Sequence, residues 1–359
     1  MWIESLHVNN CRLLENISID LSKHLNQIVG KNASGKTSLL ESLSFLSSGR
    51  SFRTSHISEV ITHAKSSILV SAKINTDNST SHIGIEKSQN KTRIRINQQD
   101  IYSQAELSSY LPITIIHPGS IELITGSPKI RRSYIDWITF YLFPDFHIKW
   151  RQYQHILKQR NLCLKDSKHY YAIDQWTEEL IELQPIINEY RKKSIELLKP
   201  KLKKISEVIL NSKKIELEFT SGFPNDIKLD TDSLRTYYKN KKEYDIKSNR
   251  TTGGIHRADL RVLMNSKPAS QSASRGQLKL IAIALLLSQN ETIMNSDKEK
   301  GVLLIDDLAS ELDKKNRKIL LDYLSTLDKQ LIITSTSEIT SINIPGKVFH
   351  EKHGEIKEE

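Results

Sequence analysis

The chain has 359 residues, 38% of them hydrophobic and 26% charged, with a formal net charge of +10, which is ordinary for a globular protein of two or three domains. Its two cysteines, Cys11 and Cys163, are too few for a disulfide framework, and neither has a nearby Cys or His at metal-ligand spacing. No run approaches the roughly 18 apolar residues that span a membrane, and no leader-like segment precedes the first strand, so we expect a cytoplasmic protein.

Short predicted strands open the chain, over residues 2–8, 17–21 and 25–29. The third strand runs directly into GKNASGKT at residues 30–37, and leucines at three- and four-residue steps predict a helix over residues 38–46. A strand, a glycine loop and a helix in this order form the context of a phosphate-binding loop.

The residue types of this loop suit a nucleoside triphosphate. Gly30 and Gly35 let the backbone curl so that its amides and the following helix N-terminus face the phosphates. Lys36 then neutralises β- and γ-phosphate oxygens, and the Thr37 hydroxyl is a ligand for Mg²⁺.

A second motif, LLIDD at residues 303–307, predicts a buried strand that ends in two carboxylates. We expect Asp306 to hold magnesium, directly or through water, and Asp307 to orient an attacking water. Because 270 residues separate Lys36 from Asp306, a large insertion must split one nucleotide-binding fold. The second acidic residue of fast ATPases is often Glu, so the shorter Asp307 favours slow turnover, below about 10 per second.

The insertion reads as a helical lobe from about Pro128 onwards. It carries most of the positive surplus, since residues 128–250 contain 25 Lys/Arg and 17 Asp/Glu, an excess of 8. One segment has apolar residues spaced as in a helix packed on a partner, either a short coiled coil or a core helix, although Pro200 is expected to kink or break it. These apolar residues are Ile195, Leu198, Leu202, Ile205 and Ile209.

Three basic clusters in the lobe, at residues 191–193, 199–204 and 239–242, could follow a nucleic-acid backbone or form solvated helix faces. Their shared location favours DNA binding, without sequence-specific readout. Arg131 and Arg132 at the start of the lobe could bind phosphates or pair with Asp136.

After the lobe, SRGQ at residues 274–277 precedes an apolar helix predicted over residues 278–287. A small hydroxyl, a glycine amide and a helix N-terminus suit an anion, although a serine N-cap explains Ser274 equally well in isolation. Because Lys36 already serves the chain's own nucleotide, we expect this second site to complete the nucleotide site of a partner subunit. Further predicted elements are a strand at residues 214–219, helices at 232–242 and 314–327, a strand at 331–334, and a frayed acidic tail at 355–359.

In this order, GKNASGKT, SRGQ and LLIDDLASELD resemble the ATP-binding-cassette heads of the structural-maintenance-of-chromosomes type. Within that group the chain is most similar to the RecF family of recombination mediators. Three further phrases carry this resemblance over essentially the whole chain. They are GRSFR at residues 49–53, HPGSIELITGSPKIRRSYID at 117–136 and GIHRADL at 254–260.

The resemblance implies an α/β fold, a P-loop ATP-binding-cassette head split by the helical lobe. We expect head segments at residues 1–127 and 251–359, and the basic lobe at 128–250. Two heads would sandwich two ATP molecules with Mg²⁺, as a weak DNA-stimulated ATPase that acts as a switch. The resemblance further implies binding of gapped or junction DNA, RecR and RecO as partners, and help in loading RecA during replication-linked repair and the SOS response.

The site residues follow from the motifs and the resemblance together. Arg12, after the first strand, is expected to contact the nucleotide, with a solvated surface arginine as the alternative. Lys36, Asp306 and Asp307 are the expected catalytic residues, and Thr37 and Asp306 the magnesium ligands. The expected nucleotide contacts are Arg12, Gly30, Lys31, Asn32, Ala33, Ser34, Gly35, Lys36, Thr37, Ser38, Ser274, Gly276 and Gln277.

Six positions depart from the family pattern, in the phosphate loop, in GIHRADL and in a late strand. In the strand, either a hydroxyl senses the γ-phosphate or that sensor is absent. The six are Ala33 and Ser34, Ile255 and Ala258, and Thr334 and Ser335, which stand where many cassette ATPases carry a switch histidine.

Two alternatives belong to other classes of protein. The cytoplasmic ATPase subunit of a membrane transporter shares the three motifs, but it predicts a short helical subdomain and a switch histidine. An ATPase coupled to a nuclease or a toxin–antitoxin system usually adds a metal-carboxylate domain, and the chain beyond Leu331 is too short for one.

Overall fold

A computed structural model describes residues 1–76, 79–210, 213–294, 301–307, 312–340 and 342–359. The chain forms two compact units. The first comprises Met1–Ser120, Val208–Ser212 and Arg275–Glu359, and the second comprises Ile121–Glu207 and Lys213–Ser274.

The first unit contains an antiparallel sheet in the strand order β2-β1-β4-β5-β6-β7. Alternating burial along its strands, such as the pattern of β4, places one face of the sheet against the core. Its strands are β1 (Trp2–Cys11), β2 (Leu14–Asp20), β4 (Ser67–Asn75), β5 (Thr80–Ser88), β6 (Thr92–Ile96) and β7 (Gln99–Ile101).

The second sheet of this unit has the order β15-β14-β3-β13-β12-β8 and is parallel except for β15. Its central strands are buried along their whole length, as expected for a parallel sheet covered on both faces, and their residues are mostly apolar. Its strands are β3 (Leu25–Val29), β8 (Ile113–Ile116), β12 (Val302–Ile305), β13 (Leu331–Ser335), β14 (Gly346–Lys352) and β15 (Glu355–Glu358).

One continuous core joins the two sheets to the first helix, α1. The four leucines whose spacing predicted this helix, Leu39, Leu40, Leu43 and Leu46, are all fully buried. The helices of the unit are α1 (Lys36–Ser48), α2 (Ile57–Val60), α3 (Gln104–Tyr110), α10 (Arg275–Met294) and α11 (Lys314–Ser325).

The second unit is largely helical, with a small antiparallel sheet in the order β11-β10-β9. Its helices are α4 (Glu122–Thr125), α5 (Pro128–Leu142), α6 (Phe146–Cys163), α7 (Ile173–Ile209, with its last two residues in the first unit), α8 (Thr231–Ser248) and α9 (Ala269–Ser272), and its strands are β9 (Ile215–Thr220), β10 (Asp259–Met264) and β11 (Lys267–Pro268).

The sequence boundary between lobe and head differs from the boundary between the units. Residues 251–274, expected in the returning head, belong to the second unit, because β10 pairs with β9 in full register from Asp259↔Thr220 to Met264↔Ile215. Residues 121–127 also belong to the second unit.

Helix α7 runs without a break through Pro185 and Pro200, so the expectation that Pro200 breaks the helix is wrong, and a kink there stays a prediction. The five apolar residues of the predicted seam are at most 3% exposed and lie on both sides of this proline. Burying each such side chain contributes about 1.5–3 kcal/mol. The five together therefore outweigh the roughly 3 kcal/mol that an interior proline costs.

Two fully buried arginines organise the second unit. Arg191 donates two hydrogen bonds to the Asp136 carboxylate (2.7 and 3.0 Å) and one to the carbonyl of Ile255 (2.7 Å). Arg160 donates to Asp245 at 2.8 Å, and the side chains of this pair are each 1% exposed. Arg191 was expected in a DNA-facing cluster. That expectation is wrong, because its guanidinium is buried and forms an ion pair with Asp136.

The paired arginines at the start of α5 also have internal partners. Arg131 forms a two-bond ion pair with Asp259, and Arg132 donates to the carbonyl of Ala258 at 2.7 Å. The sequence had suggested Asp136 as one possible partner for them. Neither arginine pairs with it, because Asp136 accepts hydrogen bonds from Arg191.

GIHRADL therefore forms an internal connection between helices. His256 accepts a hydrogen bond from the Tyr153 hydroxyl at Nδ1 (2.8 Å) and donates from Nε2 to the Thr251 carbonyl (3.3 Å), an arrangement that requires the neutral Nε2–H tautomer. Burial lowers the pKa of His256 to about 4, so the ring stays neutral at physiological pH. Ile255, at a position where proline is usual, keeps an N–H that donates to Gln184 at 3.3 Å.

The acidic end of the chain is a strand, and the predicted frayed tail is wrong. Strand β15 pairs with β14, and Ile356 is only 9% exposed in the main core. His353 and Gly354 between these strands both have positive φ, the conformation of a two-residue type I′ hairpin turn. No helix within the described residues is both long and apolar enough to cross a membrane.

Asp245→Asn removes the charge that neutralises Arg160 without changing the size of the side chain. We expect the free energy of unfolding of the second unit to fall by about 3–5 kcal/mol, because the guanidinium is left buried and unpaired. Urea denaturation followed by tryptophan fluorescence measures this, since Trp137, Trp150 and Trp176 all lie in this unit. Glu196→Gln, which breaks an exposed ion pair with Lys199, is the control and should cost less than about 1 kcal/mol. Equal effects of the two variants would contradict the prediction.

Candidate nucleotide-binding site

The glycine loop connects the end of β3 to the first residue of α1, as the motif predicts. Gly35 has a φ of 140°, which only glycine adopts without strain, and it stands immediately before Lys36, where the helix begins. Ala33 has a φ of 63°, in the left-handed region, which costs an L-residue about 1–2 kcal/mol. The loop thus keeps its curled shape at Ala33, although the family usually has glycine at this position.

Lys36 lies inside this curl and is 7% exposed. Its ammonium group donates to the carbonyl oxygens of Gly30 (2.7 Å) and Lys31 (2.6 Å). These bonds hold the cation at the centre of the loop. A phosphate oxygen entering the loop would therefore meet a positive charge that is already in position.

Asp306 and Thr37 meet at the edge of the parallel sheet. The Thr37 hydroxyl is 3.1 Å from both carboxylate oxygens of Asp306, and the Thr334 hydroxyl donates to Oδ1 at 2.8 Å. Asp306 is 6% exposed, and burial raises the pKa of its carboxyl group against the opposing effect of these two hydroxyls. A carboxylate held in this way is suited to a cation that would neutralise it.

Thr334 connects the two acidic residues. Its hydroxyl accepts the backbone N–H of Asp307 at 2.8 Å and donates to Asp306, while the Ser335 hydroxyl donates to the Ser337 carbonyl. Of the two hydroxyls that replace a switch histidine, the one of Thr334 contacts the acidic pair. Asp307 itself has a φ of 51°, so the chain turns sharply at the predicted water-orienting residue.

Arg12 forms an ion pair with Glu41, a residue that the motif analysis did not single out. Glu41 is fully buried on α1 and accepts two hydrogen bonds from the Arg12 guanidinium (2.8 and 2.9 Å) and one from the Ser51 hydroxyl (2.5 Å). Because Glu41 follows Thr37 by one helical turn, the pair fixes Arg12 beside the phosphate-loop helix. A contact from Arg12 to a nucleotide remains a prediction.

The residues expected to act on a second chain's nucleotide are at the start of α10. Gly276 and Gln277 lie in the first turn of this helix, while Ser274 belongs to the second unit. A Cβ atom added to Gly276 would meet no atom of the described residues within 4 Å. Within the phrase LLIDDLASELD, Ser310 and Glu311 lie outside the described residues, and Asp313 caps α11 by accepting the Asn316 N–H at 2.8 Å.

Glu351 is a further residue that sequence reasoning missed. It is 4% exposed on β14, directly after the residue that pairs with Val29 at the end of the phosphate-loop strand. No spacing in the sequence links it to Gly30, because the contact depends on the register between strands more than 300 residues apart.

Comparison with known proteins agrees with this geometry. The family model described as "RecF/RecN/SMC N terminal domain" matches residues 2–354. "DNA replication and repair protein RecF" of Psychromonas ingrahamii is 35% identical, and that of Shewanella piezotolerans 34% identical, each over 99% of both chains. The chain belongs to the RecF family.

Solved structures agree with this assignment. "Structure of the recombination mediator protein RecF-ATP in RecFOR pathway" matches 100% of this RecF-family chain and 97% of its own, with a TM-score of 0.90 and 28% identity. The Smc head domain of Pyrococcus furiosus, at 17% identity and a TM-score of 0.57, shares the fold. The predicted fold, an ATP-binding-cassette head of the structural-maintenance-of-chromosomes type, is confirmed.

Asp306→Asn should stabilise the nucleotide-free RecF-family chain at neutral pH. The folded-state pKa of Asp306 is raised above its ordinary value of 3.8, so the native state binds the proton more tightly than the unfolded state. Ionisation of Asp306 therefore lowers the free energy of unfolding as pH rises from 3.8 through the raised pKa of the folded state. The asparagine variant avoids that loss. We expect a thermal midpoint higher by roughly one to a few degrees at pH 7, and a difference that shrinks below pH 3.8.

The exposed Asp322 supplies the control, since Asp322→Asn should change stability by less than about 0.5 kcal/mol. Thermal unfolding from pH 3 to pH 8 separates the two variants. A lower midpoint for Asp306→Asn at pH 7 would show that the hydrogen bonds of Thr37 and Thr334 outweigh the cost of burying the charge.

Proposed function

We propose that the chain is an ATP-dependent DNA clamp of recombinational repair and replication. The observation that carries the proposal is the 3.1 Å contact between Thr37 and Asp306, next to the Lys36 ammonium at the centre of the loop. This combination of cation, hydroxyl and buried carboxylate binds and hydrolyses nucleoside triphosphates in P-loop proteins. The solved RecF structure named with ATP supports the same ligand for this chain.

The donor set at the edge of the sheet fits Mg²⁺. One carboxylate and one hydroxyl are too few to hold the ion without substrate, and the described residues contain no group of three or more His, Cys, Asp or Glu that could hold a metal. Such a set suits an ion that arrives with phosphate oxygens. Thr37 and Asp306 would hold Mg²⁺, which neutralises charge on the phosphates when bound.

The remaining chemistry is assigned to this chain's own groups. Lys36 binds the β- and γ-phosphate oxygens, and the loop amides of residues 31–35 orient the triphosphate. Asp307 orients the attacking water, with its backbone held by Thr334. A short Asp in this position favours slow hydrolysis, which suits a switch that stays closed on DNA.

We infer that two chains close face to face, each completing the other's nucleotide site. The open space at Gly276 supports this, because the fold around it would accept a side chain and helices ordinarily favour alanine over glycine. A glycine in that position leaves room for the phosphates bound by a second copy. The expected sandwich therefore joins Lys36 of one subunit to Ser274, Gly276 and Gln277 of the other.

Mixing two inactive variants tests this arrangement. Lys36→Ala removes the phosphate cation, and Gly276→Arg fills the space facing the partner, so each alone should lose ATP hydrolysis. A mixed dimer contains one intact site, so an equal mixture should recover about a quarter of wild-type activity. The control is a mixture of Lys36→Ala with Lys36→Met, which cannot rebuild a site.

Sedimentation with and without ATP accompanies this experiment. We expect ATP to shift wild-type protein from monomer to dimer. No recovery from the mixture, or an unchanged monomer in the presence of ATP, would argue against the clamp.

DNA binding is the second half of the proposal, and the second unit is its expected surface. Several lysines of the predicted clusters form ion pairs with carboxylates, including Lys193 with Glu189 and Lys242 with Asp174. Lys203 and Lys204 on α7 are exposed, and no ion pair is found for them within the described residues. They are better candidates for phosphate contacts than the buried Arg191.

By similarity to the RecF relatives, we propose that the DNA is gapped or contains a single-strand to double-strand junction. RecR and RecO would act with the protein in helping to load RecA. Relatives named as DNA repair proteins over 99% of the chain favour this function over a transporter subunit.

Lys203→Ala combined with Lys204→Ala should weaken binding to gapped duplex in the presence of ATP. Each lost phosphate contact makes the slope of log affinity against log salt about 0.9 less negative, so we expect a change of about 2. Fluorescence anisotropy over a salt series measures both quantities. Lys65→Ala combined with Lys91→Ala, two exposed lysines of the first unit, is the charge-matched control. Equal losses in both double variants would rule out α7 as the specific contact.

A further inference from the structure

Glu351 lies directly beneath the phosphate loop. A Cβ atom on Gly35 would be 2.8 Å from its Oε1, and one on Gly30 would be 2.6 Å from its carbonyl oxygen and 3.2 Å from its Oε2. A side chain at either motif glycine would therefore collide with this one residue. The backbone of Glu351 therefore excludes a side chain at Gly30, and its carboxylate crowds one at Gly35, in addition to any requirement from phosphate.

One oxygen of the Glu351 carboxylate is satisfied and the other is not. Oε1 accepts the N–H of Gly354 at 2.9 Å, inside the type I′ turn that ends β14. Oε2 is buried and has no hydrogen-bond partner among the residues that the structure describes. An acceptor left in this state costs free energy, which a nearby donor would recover.

Ser34 supplies such a donor. Its Oγ is also buried without a partner in the described part of the chain, and it would lie 2.9 Å from the same Gly30 Cβ position. The hydroxyl and Oε2 thus lie 2.9 and 3.2 Å from the same position beside the Gly30 Cα, without being bonded to each other. A movement of the loop backbone that brings Ser34 towards Glu351 would join them.

Phosphate binding provides a reason for that shift. The Lys36 ammonium donates to the carbonyls of Gly30 and Lys31, and the Ser34 N–H donates to the same Lys31 carbonyl at 3.3 Å. A triphosphate oxygen competes for Lys36 and releases these carbonyls. The backbone at Lys31 is then free to move, and Ser34 is coupled to it.

We propose that the Ser34 hydroxyl donates a hydrogen bond to Glu351 Oε2 when the loop closes on a nucleoside triphosphate. Glu351 is then a positioning residue that couples the β14–β15 hairpin to nucleotide occupancy. The inference rests on the proposed function only in that the loop must bind ATP.

A double-mutant cycle on ATP affinity tests the bond. Ser34→Ala removes the donor, and Glu351→Met keeps the approximate length of the side chain without its oxygens. We expect each variant to bind a fluorescent ATP analogue with Mg²⁺ roughly tenfold more weakly, and the double variant to bind no more weakly than Glu351→Met alone. Glu351→Gln should stay close to wild type, because its amide can donate to the Ser34 oxygen while its carbonyl still accepts from Gly354.

Two controls separate this role from a purely structural one. Ser42→Ala removes a buried hydroxyl on α1 that donates to the Leu39 carbonyl at 2.7 Å, and its effect should be independent of Glu351. The thermal midpoints of the four nucleotide-free proteins should follow additive changes, because the bond is absent before ATP binds.

Independent effects of Ser34→Ala and Glu351→Met on ATP affinity, or no effect of Ser34→Ala, would overturn the inference while leaving ATP binding intact. If Ser34→Ala and Glu351→Met were coupled just as strongly in the thermal midpoints of the nucleotide-free proteins, the bond would exist before ATP binds. That result would overturn the closure of the loop by ATP. A wild-type chain that binds no ATP would overturn both this inference and the proposed function.

Discussion

The candidate site depends on one constraint, the parallel order of β14, β3, β13 and β12 in a single sheet. The carboxyl ends of these strands lie at one edge, so the phosphate loop after β3, the hydroxyl of Thr334 and the carboxylate of Asp306 converge there. This is the usual location of ligands in open parallel sheets. The long insertion follows β8 in sequence and precedes β12, and the carboxyl end of β8 lies at this same edge, beside Asp306.

Buried arginines in the second unit reduce the positive charge that its surface can offer to a partner. Arg160 and Arg191 are neutralised inside the fold by Asp245 and Asp136, and each lies over an aromatic ring. Several surface lysines are paired as well, so a charge count along the sequence exceeds the charge available to an anionic partner. What remains for an anionic partner is a sparser set on the exposed faces of the helices.

Local patterns identified the parts of the fold that depend on neighbouring residues. The bounds of β3 match the strand predicted at residues 25–29, and the burial of α1 follows from its leucine spacing. The interactions that the sequence did not predict are all long-range: Arg12 with Glu41, Arg191 with Asp136, and Glu351 beneath Gly30. Each depends on register or packing between distant segments. The continuity of α7 through Pro200 was missed for a related reason, since tertiary burial outweighs a local rule.

The position of β3 between β13 and β14 also determines at which stage of synthesis the nucleotide site can form. The phosphate-loop strand is made within the first tenth of the chain, yet both strands that pair with it lie in the last tenth. During synthesis it has two open edges of the kind that invite mispairing, and closing such distant contacts is slow. A nucleotide site of this design cannot form on an unfinished chain. Truncated or stalled products without β13 and β14 would therefore lack the assembled nucleotide site.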